Sequence, residues 1–407
     1  MSFISRRQFL RSAVLHWAGL MTAGFFENPL SGASVRAEKK GPPTRNRRVL
    51  ADFHVHTLMD DWNLLSPPAV KSPFLAKIAA QLFNKTRVDW KRSHRAGIDL
   101  VCEAHYNVMD EVLSMPTDPY PEAPKNILRM MDLLEKELAG EAAPYARLAR
   151  NHKELESLLN VPRGNPDFRV AVVHTIEGGH SLGGSLEPLA LFAQRGAALM
   201  TITHFFNKGI ATSANALPFF PDANSSWPNQ GLSEFGAAVI KEMERLGMIV
   251  DVIHATSAAI QDILKVATKP LAATHSSGRT LGDHSYSLHD EHIQEIARRG
   301  GIVGIILCPF ILSNYSSLHL AREFGTLEDV VRTIRYVTKI CGTHKPIGIG
   351  SDFSGYITGP KEMSCLDEIG KLRQRLLREF DNDEDVVEDI MADNVIEFLL
   401  KNWRTGI

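Results

Sequence analysis

The stretch RVAVVHTIEGGH, Arg169–His180, sets the pattern of the whole chain. Its first eight residues, Arg169–Ile176, are rich in apolar and β-branched side chains and lack strict alternation. A strand with one wet face alternates apolar with polar, whereas a strand covered on both faces does not. The run therefore reads as a buried strand of a parallel sheet. It ends on a carboxylate, Glu177, followed by a glycine pair.

Seven more runs have this character: Arg48–Phe53, Ile98–Glu103, Ala197–Thr203, Met248–Ile253, Pro270–Thr274, Ile302–Leu307 and Ile347–Gly350. Helical periods lie between them. Those over Leu186–Gly196, Glu234–Gly247 and Asp290–Gly301 close on a basic residue and glycine, a helix C-terminal signal. Eight strand–helix repeats predict an α/β fold, a (β/α)8 TIM-type barrel. Extra helices are expected after strand 2, over Pro124–Leu159, and after strand 4. The alternative is a doubly wound open sheet, but no GxGxxG follows any strand.

A barrel gathers the C-terminal ends of its strands on one face, and chemistry sits there. Here those ends are polar. Strand 1 runs into His54 and His56, which share a side because Val55 between them points the other way. Strand 3 ends at Glu177, strand 4 at His204 and Asn207, strand 5 at His254, strand 6 at His275 and strand 8 at Asp352. One strand-end histidine is ordinarily a hydrogen-bonded or half-solvated residue. Six of eight strands ending this way converge on one site. Imidazoles and carboxylates are the donors of Zn²⁺ and similar cations. His54, His56, Glu177, His254 and His275 exceed one tetrahedral site and fit two divalent metal ions, with Glu177 as the bridge. Asp352 is left to handle the proton of the attacking water and His204 to donate towards an oxyanion.

These residues resemble those of the renal (membrane) dipeptidases, zinc peptidases of the amidohydrolase superfamily. The resemblance rests on IEGGHSL (Ile176–Leu182), LMTITHFFN (Leu199–Asn207), GLSEFG with RLGMIVDVIHAT (Gly231–Thr256), THSSGR (Thr274–Arg279) and GIGSDFSG (Gly348–Gly355), in that order. It implies that a dipeptide or related small amide is cleaved by a hydroxide bridging two metals, most simply zinc. It makes Glu177 the bridging ligand, His54 a first-metal ligand and His254 and His275 the second-metal ligands. His204 would hold the carbonyl oxygen and Asp352 the water proton. Two positions depart from the family. His56 stands where an aspartate is usual, which keeps a ligand but removes a negative charge. Tyr286 stands where the family's arginine would hold the substrate carboxylate, and one hydroxyl cannot replace a bidentate charged pair. The substrate-binding set is then His204, Asn207, Tyr286 and Asp352.

Two other readings compete. DFHVHT resembles the opening motif of the PHP phosphoesterases, but no Asp-x-His closes the chain and no arginine cluster awaits a phosphate. A barrel that binds a metal or ligand without turnover would also tolerate the two departures. The segment Phe205–Gly231 is expected over the mouth of the site, and whether His105 lines the pocket stays open.

Residues 1–37 resemble a Tat-type signal peptide, with SRRQFLR before a short apolar run and SVRA at the end; this implies an exported, periplasmic protein. Residues 38–48 read as a basic linker and 49–407 as a single domain. The signal carries a net +3, and removing it from the chain's −2 leaves about −5. That balance favours neither nucleic acid nor an anionic membrane surface. The expected partner is a small-molecule substrate, with no stable membrane insertion after cleavage and room for a homodimer. Of the four cysteines, Cys102 and Cys308 read as core residues, and Cys341 with Cys365 is the pair an oxidising compartment could bridge.

Overall fold

The structure is a computed structural model that describes residues 47–58, 88–112, 118–214, 231–316, 318–355 and 357–405. The expected signal peptide and nearly all of the linker lie outside the described residues. The last two linker residues are part of the folded body. Arg47 pairs with Asp385 and Glu388 at 2.7 and 2.8 Å, and Arg48 with Asp393 at 2.9 Å.

Nine parallel strands form the sheet: β1 (Ala51–Val55), β2 (Leu100–His105), β3 (Ala146–Leu148), β4 (Val170–Ile176), β5 (Leu199–Thr201), β6 (Ile249–Asp251), β7 (Ala272–Ser276), β8 (Ile302–Ile305) and β9 (Ile347–Ile349). β2 pairs directly with β4, and β9 returns to β1, so eight strands close a barrel. All eight correspond to the runs read from the sequence. The ninth, β3, is an addition. It pairs with Val170–Val172 at the start of β4, on the edge that β5 takes further along at Thr175 and Ile176. β3 thus widens the bottom of the barrel without entering the ring.

The local chemistry that sets the helices is conventional. Ser233 caps Glu234–Leu246 by accepting from Gly236 N, and Gly247 ends that helix with φ 78°. Thr326 and Asp329 form a capping box on Leu327–Cys341. The material after strand 2 comprises the helices Val108–Val112, Ala123–Ala139 and His152–Leu159 together with β3. After strand 4, Phe205–Ala214 form no helix, and 215–230 lie outside the described residues. At the bottom, helix Asn394–Asn402 closes the barrel. Phe398 meets Phe53 edge-on at 6.1 Å, and Trp403 is fully buried.

Cys102 and Cys308 are buried, as expected. The Cys341–Cys365 bridge is not formed: both thiols are free. Cys341 ends helix Leu327–Cys341, whereas Leu327 N at the other end donates to Glu362, three residues before Cys365. Fifteen helical residues span about 20 Å, far beyond disulfide reach. Among the described residues, no helix is long and apolar enough to cross a membrane.

Candidate metal centre

The strand tips bring six ionisable side chains into one buried cluster. His54 Nε2 lies 3.1 Å from His56 Nε2 and 3.5 Å from Glu177 Oε1. His56 Nε2 is 3.4 Å from Glu177 Oε2 and 3.3 Å from Asp352 Oδ1. His254 and His275 approach Glu177 Oε1 at 3.1 and 3.4 Å, with their own Nε2 atoms 3.3 Å apart. All six are at most 7 % exposed. Both carboxylate oxygens of Glu177 are thus engaged, one towards His56 and the other towards His254 and His275.

The tautomers follow from the partners. Thr274 Oγ1 has one proton and gives it to Asp251 Oδ2 at 2.7 Å. It therefore accepts from His275 Nδ1 at 2.9 Å and His54 Nδ1 at 3.3 Å. His56 Nδ1 donates to Ala104 O at 2.9 Å, since a carbonyl can only accept. In its neutral form each of these rings presents an unprotonated Nε2 to the cluster. Bare lone pairs 3.1 Å apart in a buried site repel one another unless a cation sits between them. The donor set therefore fits divalent metal, and the Asp251–Thr274 pair does the orienting that buried ligands require. His56 keeps the ligand geometry despite its departure from the family's aspartate. Thr274→Val should weaken metal retention about 10- to 100-fold, read by competition with a chelator.

The electrostatics of the apoprotein agree. Burial pushes His275 well below the usual histidine range, and His254 to about 4. Burial alone would raise Glu177, but His204, His54 and the hydrogen bonds around it hold its carboxyl well below the ordinary range. Burial, with the Glu177 charge nearby, holds Asp352 well above it. Backbone strain gathers here too. His254, Asp352 and Ser354 have φ of 65°, 58° and 63°, a left-handed region that is costly for residues with a side chain. A Cβ on Gly355 would fall 1.9 Å from Asp352 Oδ1 and 2.7 Å from His56 Cδ2, so a side chain there would displace both groups.

His204 stands at the rim, its Nε2 3.7 Å from Glu177 Oε1. Its Nδ1 meets Glu111 Oε2 at 2.8 Å, and Glu111 also accepts from Tyr106 Oη and Phe206 N. Burial would lower His204, but the charges of Glu177 and Glu111 raise it. Burial would likewise raise Glu111, yet His204, His180 and the hydrogen bonds hold it at about 2 against an ordinary 4.5. A depressed carboxyl stabilises the fold above its unfolded pKa and loses that contribution as pH falls through the folded one. Melting temperatures of Glu111→Gln should therefore depend less on pH than those of the parent between pH 4.5 and 2.

The remaining expectations divide. Asn207 is buried, with Oδ1 accepting from Gly209 N at 3.3 Å. Tyr286 packs its ring 4.8 Å from His254, but its hydroxyl donates to His275 O, so no proton is left for a substrate carboxylate. His105 does not face the cluster. It lies beneath helix Ala123–Ala139 and bonds His174 Nδ1 at 2.7 Å, and His174 reaches Glu135 at 3.4 Å. The orienting residues went unread in the sequence, although Asp52 and Asp251, each a carboxylate inside an apolar strand, were visible signals. Asp52 Oδ1 accepts from His54 N and Ser351 N and so ties β1 to β9.

A family model, membrane dipeptidase (peptidase family M19), matches residues 46–402. The chain belongs to the membrane dipeptidase family. Within that family it is 32 % identical over 231 residues to dipeptidase aclJ of Aspergillus oryzae, covering 57 % of this chain and 51 % of that one. It is 29 % identical over 269 residues to dipeptidase 3 of Macaca fascicularis, covering 62 % and 53 %. The chain thus spans about half the length of the curated relatives it matches. The fold is that of a metallopeptidase from Rhodobacter sphaeroides, solved with a phosphinate mimic of the dipeptide L-Ala-D-Ala. The TM-score is 0.68 at 21 % identity, covering 88 % of this chain and 100 % of that one. As a membrane dipeptidase family member, the chain is set apart from the PHP phosphoesterases that DFHVHT resembled.

Proposed function

We propose that the protein is a binuclear metal-dependent dipeptidase acting on a dipeptide or related small amide. The observation that carries this reading is the convergence of unprotonated histidine nitrogens on both oxygens of one buried carboxylate, Glu177. His54 and His56 would hold one cation, His254 and His275 the other, and Glu177 both. The imidazole-rich set favours zinc. Two divalent cations bound there supply a water acidic enough to attack at neutral pH.

The chain's own groups do the rest. His204, kept charged by Glu111, donates from Nε2 to the scissile carbonyl oxygen as negative charge develops on it. Asp352 lies beside the first pair of histidines, 3.3 Å from His56 Nε2. It takes the proton of the attacking water and returns it to the leaving amine. A group that cycles protons gains from a raised carboxyl pKa, and burial beside Glu177 supplies that here. The twin-arginine stretch at the N-terminus supports export of the folded chain, already loaded with metal. The test is hydrolysis of a dipeptide panel by the metal-loaded protein, with a chelator abolishing it and added zinc restoring it. A protein that retains metal and cleaves no amide or ester would be a binding barrel instead.

A further inference from the structure

A dipeptide carries a carboxylate, and Tyr286, at the position where the resemblance would put an arginine to hold it, gives its hydroxyl proton to His275 O. A second polar group lies on the opposite, His204 side of the centre. His180, in the turn Gly179–Leu182, is 3 % exposed, and among the described residues neither of its ring nitrogens has a hydrogen-bond partner. A buried polar ring left unpaired is destabilising and marks a place for a ligand group. The ring is held by shape. Tyr106 meets it edge-on at 5.5 Å and lies 4.3 Å from the His204 ring. A Cβ on Gly178 would fall 2.4 Å from His180 Nδ1 and 3.1 Å from His204 Cβ, so the two histidines close over that glycine.

Lys208 stands near the same ring, among the charges that act on it. It is 3 % exposed, with its ammonium 5.4 Å from the centre of the Phe206 ring. Its φ of 45° is left-handed, the fourth such strained residue around this site. Burial pulls its pKa down to about 8, against the pull of Glu111 and Asp118.

We propose that His180 and Lys208 form the receptor for a substrate carboxylate on the His204 side of the centre, in place of an arginine at position 286. One ammonium and one neutral imidazole suit a monoanion; a phosphate dianion calls for more donors. This proposal rests on the dipeptidase reading. The carboxylate can come from the C-terminus of the peptide or from an acidic side chain on its first residue.

The experiment uses the metal-loaded full chain with Ala-Ala, Ala-Ala amide and Asp-Ala amide. Alongside it, calorimetry measures binding of an Ala-Ala phosphinate analogue with and without its terminal carboxylate. The parent should favour one carboxylate-bearing substrate over Ala-Ala amide by roughly 10- to 100-fold, the worth of a charge-assisted contact. Preference for Ala-Ala assigns the terminus, and preference for Asp-Ala amide assigns the side chain. If the terminus is the source, Lys208→Met should abolish the difference between the two analogues, with Lys208→Arg restoring most of it and His180→Ala losing about tenfold. If the side chain is the source, the same pattern should appear in KM for Asp-Ala amide against Ala-Ala amide. Equal handling of carboxylate-bearing and carboxylate-free probes by the parent would overturn the proposal. So would a Lys208→Met variant that weakens both classes alike, because that is a structural effect. A parent that binds the carboxylate analogue through Lys208 but hydrolyses nothing would refute the dipeptidase reading and leave the receptor standing.

Discussion

Glu177→Ala should release both cations from a protein that still folds, and should lower kcat/KM at least about a thousandfold, a barrier change of roughly 4 kcal/mol. The reason is geometric. Glu177 Oε2 faces His56 at 3.4 Å, while Oε1 faces His254 and His275 at 3.1 and 3.4 Å. Among the described residues Asp352 is the other carboxylate at the centre, and it lies within 4.0 Å of His54 and His56, whereas Glu177 lies within 3.5 Å of all four histidines. Removing Glu177 would therefore take one ligand from each cation and one negative charge from the pair. His275→Ala removes a donor from the second group alone and should cost mainly one equivalent. Elemental analysis of the two purified variants separates these outcomes. Equal metal content in both would contradict the bridging role.

Asp352→Asn should lower kcat by about 10²- to 10⁴-fold, the usual worth of a positioned acid–base group, with metal content and KM nearly unchanged. Asparagine keeps the size of the side chain and tolerates the left-handed backbone at this position better than most residues. It cannot accept the water proton. The turn stays anchored because Asp352 N donates to His54 O at 2.8 Å through the main chain, which the substitution leaves intact. Loss of metal in this variant would instead make Asp352 a ligand. Retained kcat would remove it from the reaction.

Much of this was legible in the chain because burial on both faces makes parallel strands near-continuous in hydrophobicity. Val170–Ile176, Ile249–Asp251 and Ile302–Ile305 are of that kind, and the polar tips follow directly from where such strands stop. β3 escaped because three residues with the exposed Arg147 between two apolar neighbours give no run to read. The metal-facing histidines could be named from the tips and the family resemblance. Their orientation could not, because it depends on Thr274 and Asp251, which meet only across β6 and β7. Glu111 lies 93 residues before the histidine it holds, and no local spacing links the two. The cysteine pair misled for the opposite reason. Cys341 and Cys365 are close in sequence, yet a helix that begins near one and ends at the other keeps them apart.

The replacement of the family's aspartate by His56 gives the account its sharpest point of exposure. His56 donates from Nδ1 to Ala104 O and turns Nε2 to within 3.1 Å of His54 Nε2 and 3.3 Å of Asp352 Oδ1, so the first group keeps its full complement of donors. The most direct test is metal per chain, by elemental analysis of the folded protein purified without added metal. Close to two equivalents of zinc or a similar divalent ion are expected. No bound metal, even after reconstitution, would contradict the binuclear reading.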